Sequence, residues 1–423
     1  MRIFFLLFLF NYWVLYAQDY DSYLTGSSID LDVEAQVGVC LMGGASESDE
    51  AMTWFLNRAN GGDVLVLRAS GSDGYNDYMY TDLGVSLNSV ETIVFNNASA
   101  SNETYIHDKI KGAEAIWFAG GDQWDYISFW RDSPIDSLIN DAIINRNIVI
   151  GGTSAGMAIQ GGIYFSAENG TITSSTALAN PFDDNCTVDT SSFLANDILA
   201  NVITDTHYDS PDRKGRHTVF IAWALDIYGL YAKGIACEEY TAVCIRTDGV
   251  ASIYGGYSTY DDFAYFIAPN CQLADQNPEA FVSTEPLTWN HGGEALKVYK
   301  VPGTSSGTNT FDLNTWNTGT GGEWLHWSVN AGVFTEAPGT APNCSLGGED
   351  IFINTGIYPN PTTGLFTINH MINTQVFITD LNGKEVFTTV QDECDLSNLE
   401  RGFYLVHYTD FSGGNKVEKV VLR

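Results

Sequence analysis

Ile148-Val149-Ile150-Gly151-Gly152-Thr153-Ser154-Ala155-Gly156-Met157-Ala158 is the stretch on which the fold of this chain turns. An apolar run ends in two glycines, a serine follows between Gly152 and Gly156, and a helix-compatible segment begins. Gly-x-Ser-x-Gly between a strand and a helix is the spacing of a nucleophile elbow. The serine of such a turn has a strained backbone, and a Cβ on either flank would strike the strand or the helix. Ser154 would stand at a helix N-terminus, where the dipole and the amide of Ala155 can hold a developing oxyanion. The competing reading is a glycine-rich strand-to-helix turn without chemistry.

Further apolar runs lie upstream, at 36–42, 63–67, 90–95 and 115–119, and helices are expected over 49–59, 102–112 and 123–146. Strands apolar on both sides, alternating with helices, predict an α/β fold with a mainly parallel sheet sandwiched by helices. Ligands of such sheets bind beyond the carboxyl ends of the strands. Three of those ends are glycine pairs here: Gly43-Gly44, Gly120-Gly121 and Gly151-Gly152.

With 423 residues the chain exceeds one ordinary core, and 44% hydrophobic with 13% aromatic content excludes wholesale disorder. The net charge is −33, from 52 acidic and 19 basic side chains, which disfavours nucleic acid as a partner. Residues 351–423 hold eight acids and five bases, leaving −30 and only fourteen Lys and Arg for residues 1–350. Three of those fourteen cluster at Arg213-Lys214-Gly215-Arg216, a basic island in an acidic chain.

Met1-Arg2 followed by an apolar run from Ile3 to Phe10, with Ala17 as the small residue, reads as a secretory signal peptide. At the other end, Tyr358-Pro359-Asn360-Pro361-Thr362-Thr363-Gly364 opens a series of short alternating strands, with turn signals at 382–383 and 413–415. That module ends Lys419-Val420-Val421-Leu422-Arg423 and predicts a small β-sandwich. Seven cysteines are an odd number, so at least one is unpaired or bridged to another molecule, and Cys40 reads as a buried thiol. No cysteine or histidine spacing fits a zinc site, so neither metal nor cofactor is expected.

A nucleophilic serine needs a base and the base needs an orienting acid. His207 ends the apolar run 202–206, and His217 opens a helical stretch, so these are the two histidines in play. For the acid, Glu238 and Glu239 lie in an apolar strand-like segment, 234–243, where a carboxylate needs a partner. Neighbours on a strand point oppositely, so only one of them would reach His207. Asp205 and Glu168 are alternatives. Trp324 and Trp327 read as core more readily than as a sugar platform, and Asp73 and Asn76 as either cleft or loop.

Four segments together resemble the cyanophycinase and aspartyl dipeptidase family of serine peptidases: Phe118-Ala119-Gly120-Gly121-Asp122-Gln123, Gly152-Thr153-Ser154-Ala155-Gly156, Asp205-Thr206-His207-Tyr208 with Arg213 and Arg216, and Glu238-Glu239-Tyr240-Thr241-Ala242. The resemblance runs over about residues 35–270. It implies a sheet related to class I glutamine amidotransferases, with Ser154 as nucleophile, His207 as base and Glu239 as acid. It further implies an oxyanion hole from Gly121 or Asp122 with Ala155, and substrate contacts from Gln123, Arg213 and Arg216. Family members carry three regularly spaced arginines after a His-Phe pair. Here Pro211 stands at the first, and Tyr208 replaces the phenylalanine. That departure bears on cyanophycin as substrate more than on serine hydrolysis. The terminal module resembles the C-terminal sorting domain of type IX secretion.

The expected organisation is a signal peptide over 1–17, the peptidase domain over 18–271, a β-rich extension or spacer over 272–350 and the sorting domain over 351–423. The expected function is a secreted or cell-surface serine exopeptidase acting on cyanophycin or aspartyl dipeptides. Its expected partners are the peptide substrate and the type IX secretion machinery, and a homodimer is compatible with the sequence. The alternative is a catalytically inactive surface binding module on the same fold.

Overall fold

Apolar runs of four to seven residues can be buried on both faces only inside a covered sheet. The computed structural model describes residues 18–190, 193–344 and, between 357 and 422, all except 359–361, 363, 369–374, 381–382, 400 and 410–414. The expected signal peptide, and the turns expected at Asn382 and Gly413-Gly414, lie outside the described residues.

The first strands are Tyr20–Gly26 (β1), Gly38–Met42 (β2), Asp63–Arg68 (β3), Ser89–Phe95 (β4), Ala115–Phe118 (β5) and Val149–Thr153 (β6). A small hairpin of Tyr164–Phe165 (β7) and Val188–Asp189 (β8) precedes Val202–Asp205 (β9), Lys233–Cys237 (β10) and Ala242–Arg246 (β11). Val250–Tyr254 (β12), Phe263–Pro269 (β13), Leu296–Pro302 (β14) and Asn309–Asp312 (β15) follow. Gly319–Thr320 (β16), Glu323–Asn330 (β17) and Val333–Pro338 (β18) complete this part. The helices are Asp49–Arg58 (α1), Thr104–Gly112 (α2), Gln123–Trp130 (α3), Pro134–Ile144 (α4), Ala155–Ala158 (α5), Ser174–Ala179 (α6) and Lys214–Ala222 (α7).

One sheet runs β1-β4-β3-β5-β6-β2-β11-β12-β15-β16, and its five strands from β4 to β2 are parallel. Every residue of β2, β4, β5 and β6 is buried, as strands covered on both faces require. Antiparallel strands extend this parallel centre on both sides. The second sheet, β18-β17-β14-β13-β10-β9, is antiparallel except for the pair β9 and β10.

One expectation changes, and one open choice closes. The helix expected over 123–146 is two helices, because Arg131 turns extended, Ser133 caps the next helix and Pro134 occupies its first turn. Of extension and spacer, residues 272–344 are the extension. β14 pairs with β13, β15 pairs with β12, and Tyr299, Val301 and Phe311 share one core with Leu41 and Phe118. The physical reason is that β12 and β13 would otherwise leave open sheet edges. A Cys271–Cys344 disulfide closes the segment. Trp327 is fully buried and donates to Glu336, and Trp324 packs against the core, so both are structural.

In the tail, Ile357–Tyr358, Leu365–Ile368 and Glu393–Asp395 form one sheet. Glu385–Thr389, Val376–Asp380, Gly402–Thr409 and Asn415–Leu422 form the other. Phe366, Ile378, Val406 and Val420 belong to the core between them, which is the expected sandwich.

Candidate active site

The elbow forms because its flanks lack side chains. A Cβ on Gly152 would lie 2.5 Å from the Gly156 carbonyl oxygen, and one on Gly156 would lie 2.0 Å from that of Phe118. With both absent, β6 and α5 approach closely enough to hold Ser154 at φ 52°, ψ −118°, a strained region for an L-residue. The Ser154 amide donates to the Met42 carbonyl at 3.1 Å. That amide is therefore committed, and Ala155, first residue of α5, supplies the next one along. Because α5 has only four residues, its amide rather than a helix dipole is what it offers an oxyanion.

His207 follows the carboxyl end of β9 with φ 46°, its own amide donating to the Gly43 carbonyl at 2.8 Å. Its Nε2 lies 2.8 Å from Ser154 Oγ, and its Nδ1 lies 2.6 Å from Glu239 Oε1. Gly44 makes this stacking of loops feasible: at φ 114°, a Cβ there would lie 2.4 Å from His207 Nε2. The Tyr240 amide donates to the Gly44 carbonyl at 3.1 Å, so one glycine touches the loops of His207 and Glu239 together.

Glu238 and Glu239 are not on a strand. β10 ends at Cys237, and the pair occupies the turn into β11. The two still diverge. Glu238 is buried and accepts from the Tyr265 hydroxyl at 2.7 Å and the Phe263 amide at 2.9 Å. Burial, opposed by the Tyr265 bond, pushes its carboxyl up to about 7. Glu239 turns to His207, and its amide donates to Asp209 Oδ1 at 3.0 Å. Glu168 is exposed beyond β7 and is not the group on His207 Nδ1. His217 is fully buried one turn inside α7, bonded to Tyr208 and Ile203, and burial lowers it to about 4.

The basic island divides. Arg216 was expected at the substrate, but it is 3% exposed, with Nε 2.9 Å from Asp205 Oδ2 and Nη2 2.5 Å from Oδ1. Burial pushes the Asp205 carboxyl up, and the Arg216 guanidinium outweighs it, holding the group below its ordinary value. Such a pair is internal structure. Lys214 reaches Glu336 at 3.4 Å. Arg213 is held more loosely, its Nη1 lying 3.9 Å from Asp205 Oδ1. Its Nη1 is 3.5 Å from Thr206 Oγ1, its buried Nε has no partner among the described residues, and burial pulls the guanidinium down to about 10.

Gly121 and Asp122 are exposed in the loop after β5, where the Asp122 carboxylate caps α3 through the Trp124 amide at 2.9 Å. Gly120 is the loop residue that meets Ser154, its Cβ position lying 3.6 Å from Ser154 Cβ. The Tyr126 hydroxyl pins the carbonyls of Ala119 and Gly120 at 2.9 and 3.0 Å. Gln123 lies beside this loop and donates to the Phe165 carbonyl at 2.8 Å. Asn76 is buried and bonded to Tyr23, Thr25, Val90 and Thr92, so it holds the loop after β3 and lines no cleft, while Asp73 is exposed. Gly44, Tyr126 and Asp209 were missed as site residues. The glycine pair after β2 was the one sequence signal for any of them.

Residues 44–253 match the model of peptidase family S51. This stretch is similar to peptidase family S51. Residues 356–423 match the secretion system C-terminal sorting domain, so an S51-like stretch is followed here by a sorting module. The chain is 23% identical over 199 residues to a cyanophycinase of Trichormus variabilis, covering 47% of this chain and 59% of that one. A cyanophycinase of Synechococcus elongatus is 22% identical over 227 residues, covering 51% and 65%. The chain thus spans less than two thirds of the length of these curated relatives. Among solved structures, a peptidase from an acI-B1 Actinobacterium aligns over 53% of this chain and 89% of its own, at 14% identity and a TM-score of 0.39. Within the S51-like stretch, Ser154, His207 and Glu239 come from three separate loops at the carboxyl ends of β6, β9 and β10.

Proposed function

We propose that the S51-like stretch is a serine peptidase in which Ser154 is the nucleophile, His207 the general base and Glu239 the orienting acid. The observation that carries this is the continuous line from Ser154 Oγ to His207 Nε2 at 2.8 Å and from His207 Nδ1 to Glu239 Oε1 at 2.6 Å. His207 accepts the Ser154 proton as the oxygen attacks a peptide carbonyl, and Glu239 stabilises the imidazolium. The Ala155 amide, with an amide of the 120–122 loop, receives the oxyanion. His207 then returns the proton to the leaving amine, and water hydrolyses the acyl-enzyme by the same relay.

Arg213 is the group we assign to a substrate carboxylate, because its buried Nε lacks a partner. With Pro211 at one family arginine position and Arg216 internal, a single guanidinium remains, and this favours small aspartyl peptides over cyanophycin. The sorting domain supports export to the medium or cell surface through the type IX machinery.

A fluorophosphonate probe should label the wild type at Ser154 and leave Ser154→Ala unlabelled. A wild type that neither labels nor cleaves any aspartyl peptide would sink the proposal and leave a binding module. Arg213→Gln should raise KM for aspartyl dipeptides with little change in kcat. Equal losses on uncharged amides would make Arg213 structural.

A further inference from the structure

Two thiols outside the catalytic line face each other in the core. Cys40 on β2 and Cys244 on β11 are cross-strand partners, both fully buried, with Sγ atoms 3.6 Å apart. The ladder tells which kind of pair they are. The Gly43 amide donates to the Thr241 carbonyl at 2.9 Å, so residues 43 and 241 are a hydrogen-bonded pair. Pairs alternate along an antiparallel ladder, which puts Cys40 and Cys244, three steps on, in the non-hydrogen-bonded class. Opposed Cα atoms in that class are about 4.5 Å apart, within the span a disulfide accepts. The third nearby thiol, Cys237 on β10, is turned to the Leu41 carbonyl at 3.7 Å.

We propose that Cys40 and Cys244 become a second disulfide as the exported chain matures. One cysteine thiolate attacks the disulfide of a dithiol oxidant in the cell envelope, and one oxidant thiolate leaves. The other cysteine thiolate then attacks the protein sulfur of that mixed disulfide and expels the second oxidant thiolate. The chain loses two protons and two electrons, and the oxidant is reduced to its dithiol. Burial holds the Cys244 thiol far above its ordinary range, so the exchange belongs to folding, before the sheet closes. The bridge joins two strands that serve the site. β2 ends in the Met42 carbonyl and Gly43-Gly44, which hold Ser154 and His207, and β11 is entered from the turn that carries Glu239. It would therefore fasten the base and acid loops to the nucleophile's sheet, whether or not the catalytic reading is right.

The test uses the full chain recovered after export into an oxidising compartment, denatured without reductant and alkylated with iodoacetamide. With only Cys271–Cys344 bridged, five thiols react; the proposal expects three, at Cys186, Cys237 and Cys394. Peptide mapping should recover a fragment linking Cys40 to Cys244. Five alkylated cysteines, or a Cys40–Cys237 linkage, would overturn it. A Cys40→Ala/Cys244→Ala variant gives an independent reading. Reductant should lower the Tm of the wild type by more than it lowers that of the variant, and equal shifts would also overturn the proposal.

Discussion

Gly44 shows how much of the Ser154–His207–Glu239 arrangement can rest on the absence of an atom. Alanine there would put a methyl group on the His207 ring and hold a left-handed φ, so Gly44→Ala should cost about 10²-fold in kcat/KM. Steady-state kinetics with the folded variant would check it. Asp209 acts at one remove, its carboxylate receiving the Glu239 amide. Asp209→Ala should lower kcat, because a displaced Glu239 orients His207 less well. Asp209→Asn keeps an acceptor oxygen and should restore it. Arg216→Gln makes the opposite kind of test. It strands the Asp205 carboxylate in the core at a cost of about 3–5 kcal/mol, so stability falls and all substrates suffer alike. A selective loss on aspartyl substrates would return Arg216 to the site. Ser154 was legible because its glycines are sequence neighbours. The burial of Arg216 was not, since its partner Asp205 was itself in view as an alternative acid.

At the scale of elements, the elbow and the turn from β10 to β11 do complementary work. The elbow raises Ser154 above the sheet, and the turn sends adjacent glutamates in different directions. Reading residues 234–243 as one strand reached the correct divergence for the wrong reason: the backbone turns at Glu239-Tyr240, with Tyr240 at φ 62°. Glu238 carries a pH signature. Its folded value of about 7 lies above the ordinary 4.5, so its protonated form favours the fold. That contribution is complete below about pH 4.5 and lost as pH rises through about 7. Tm measured across this window should fall in the wild type, and the Glu238→Gln profile should be flatter. The single helix read over 123–146 was split by Ser133-Pro134, a local signal outweighed by the long apolar pattern around it.

For the whole molecule, the decisive feature is that residues 272–344 complete both sheets. β14 lies between β13 and β17, so ending the chain at 271 would expose an edge and open the shared core. Such a truncation should be insoluble or molten by circular dichroism, whereas removing the tail from 351 should leave the remaining sheets intact. Closing a 73-residue separation, the Cys271–Cys344 bridge contributes about 4 kcal/mol in the chain-entropy account. Replacing both cysteines with alanine should therefore lower Tm. By itself the sequence determined the parallel sheet, the elbow at Ser154 and the β-sandwich tail, because each is written in neighbouring residues as period, glycine spacing or turn chemistry. Tertiary structure alone decided that Arg216 is internal and that residues 272–344 belong to the central fold. Each of those depends on contacts between residues far apart in the chain, where burial and hydrogen-bond partners are set by packing and no local pattern records them.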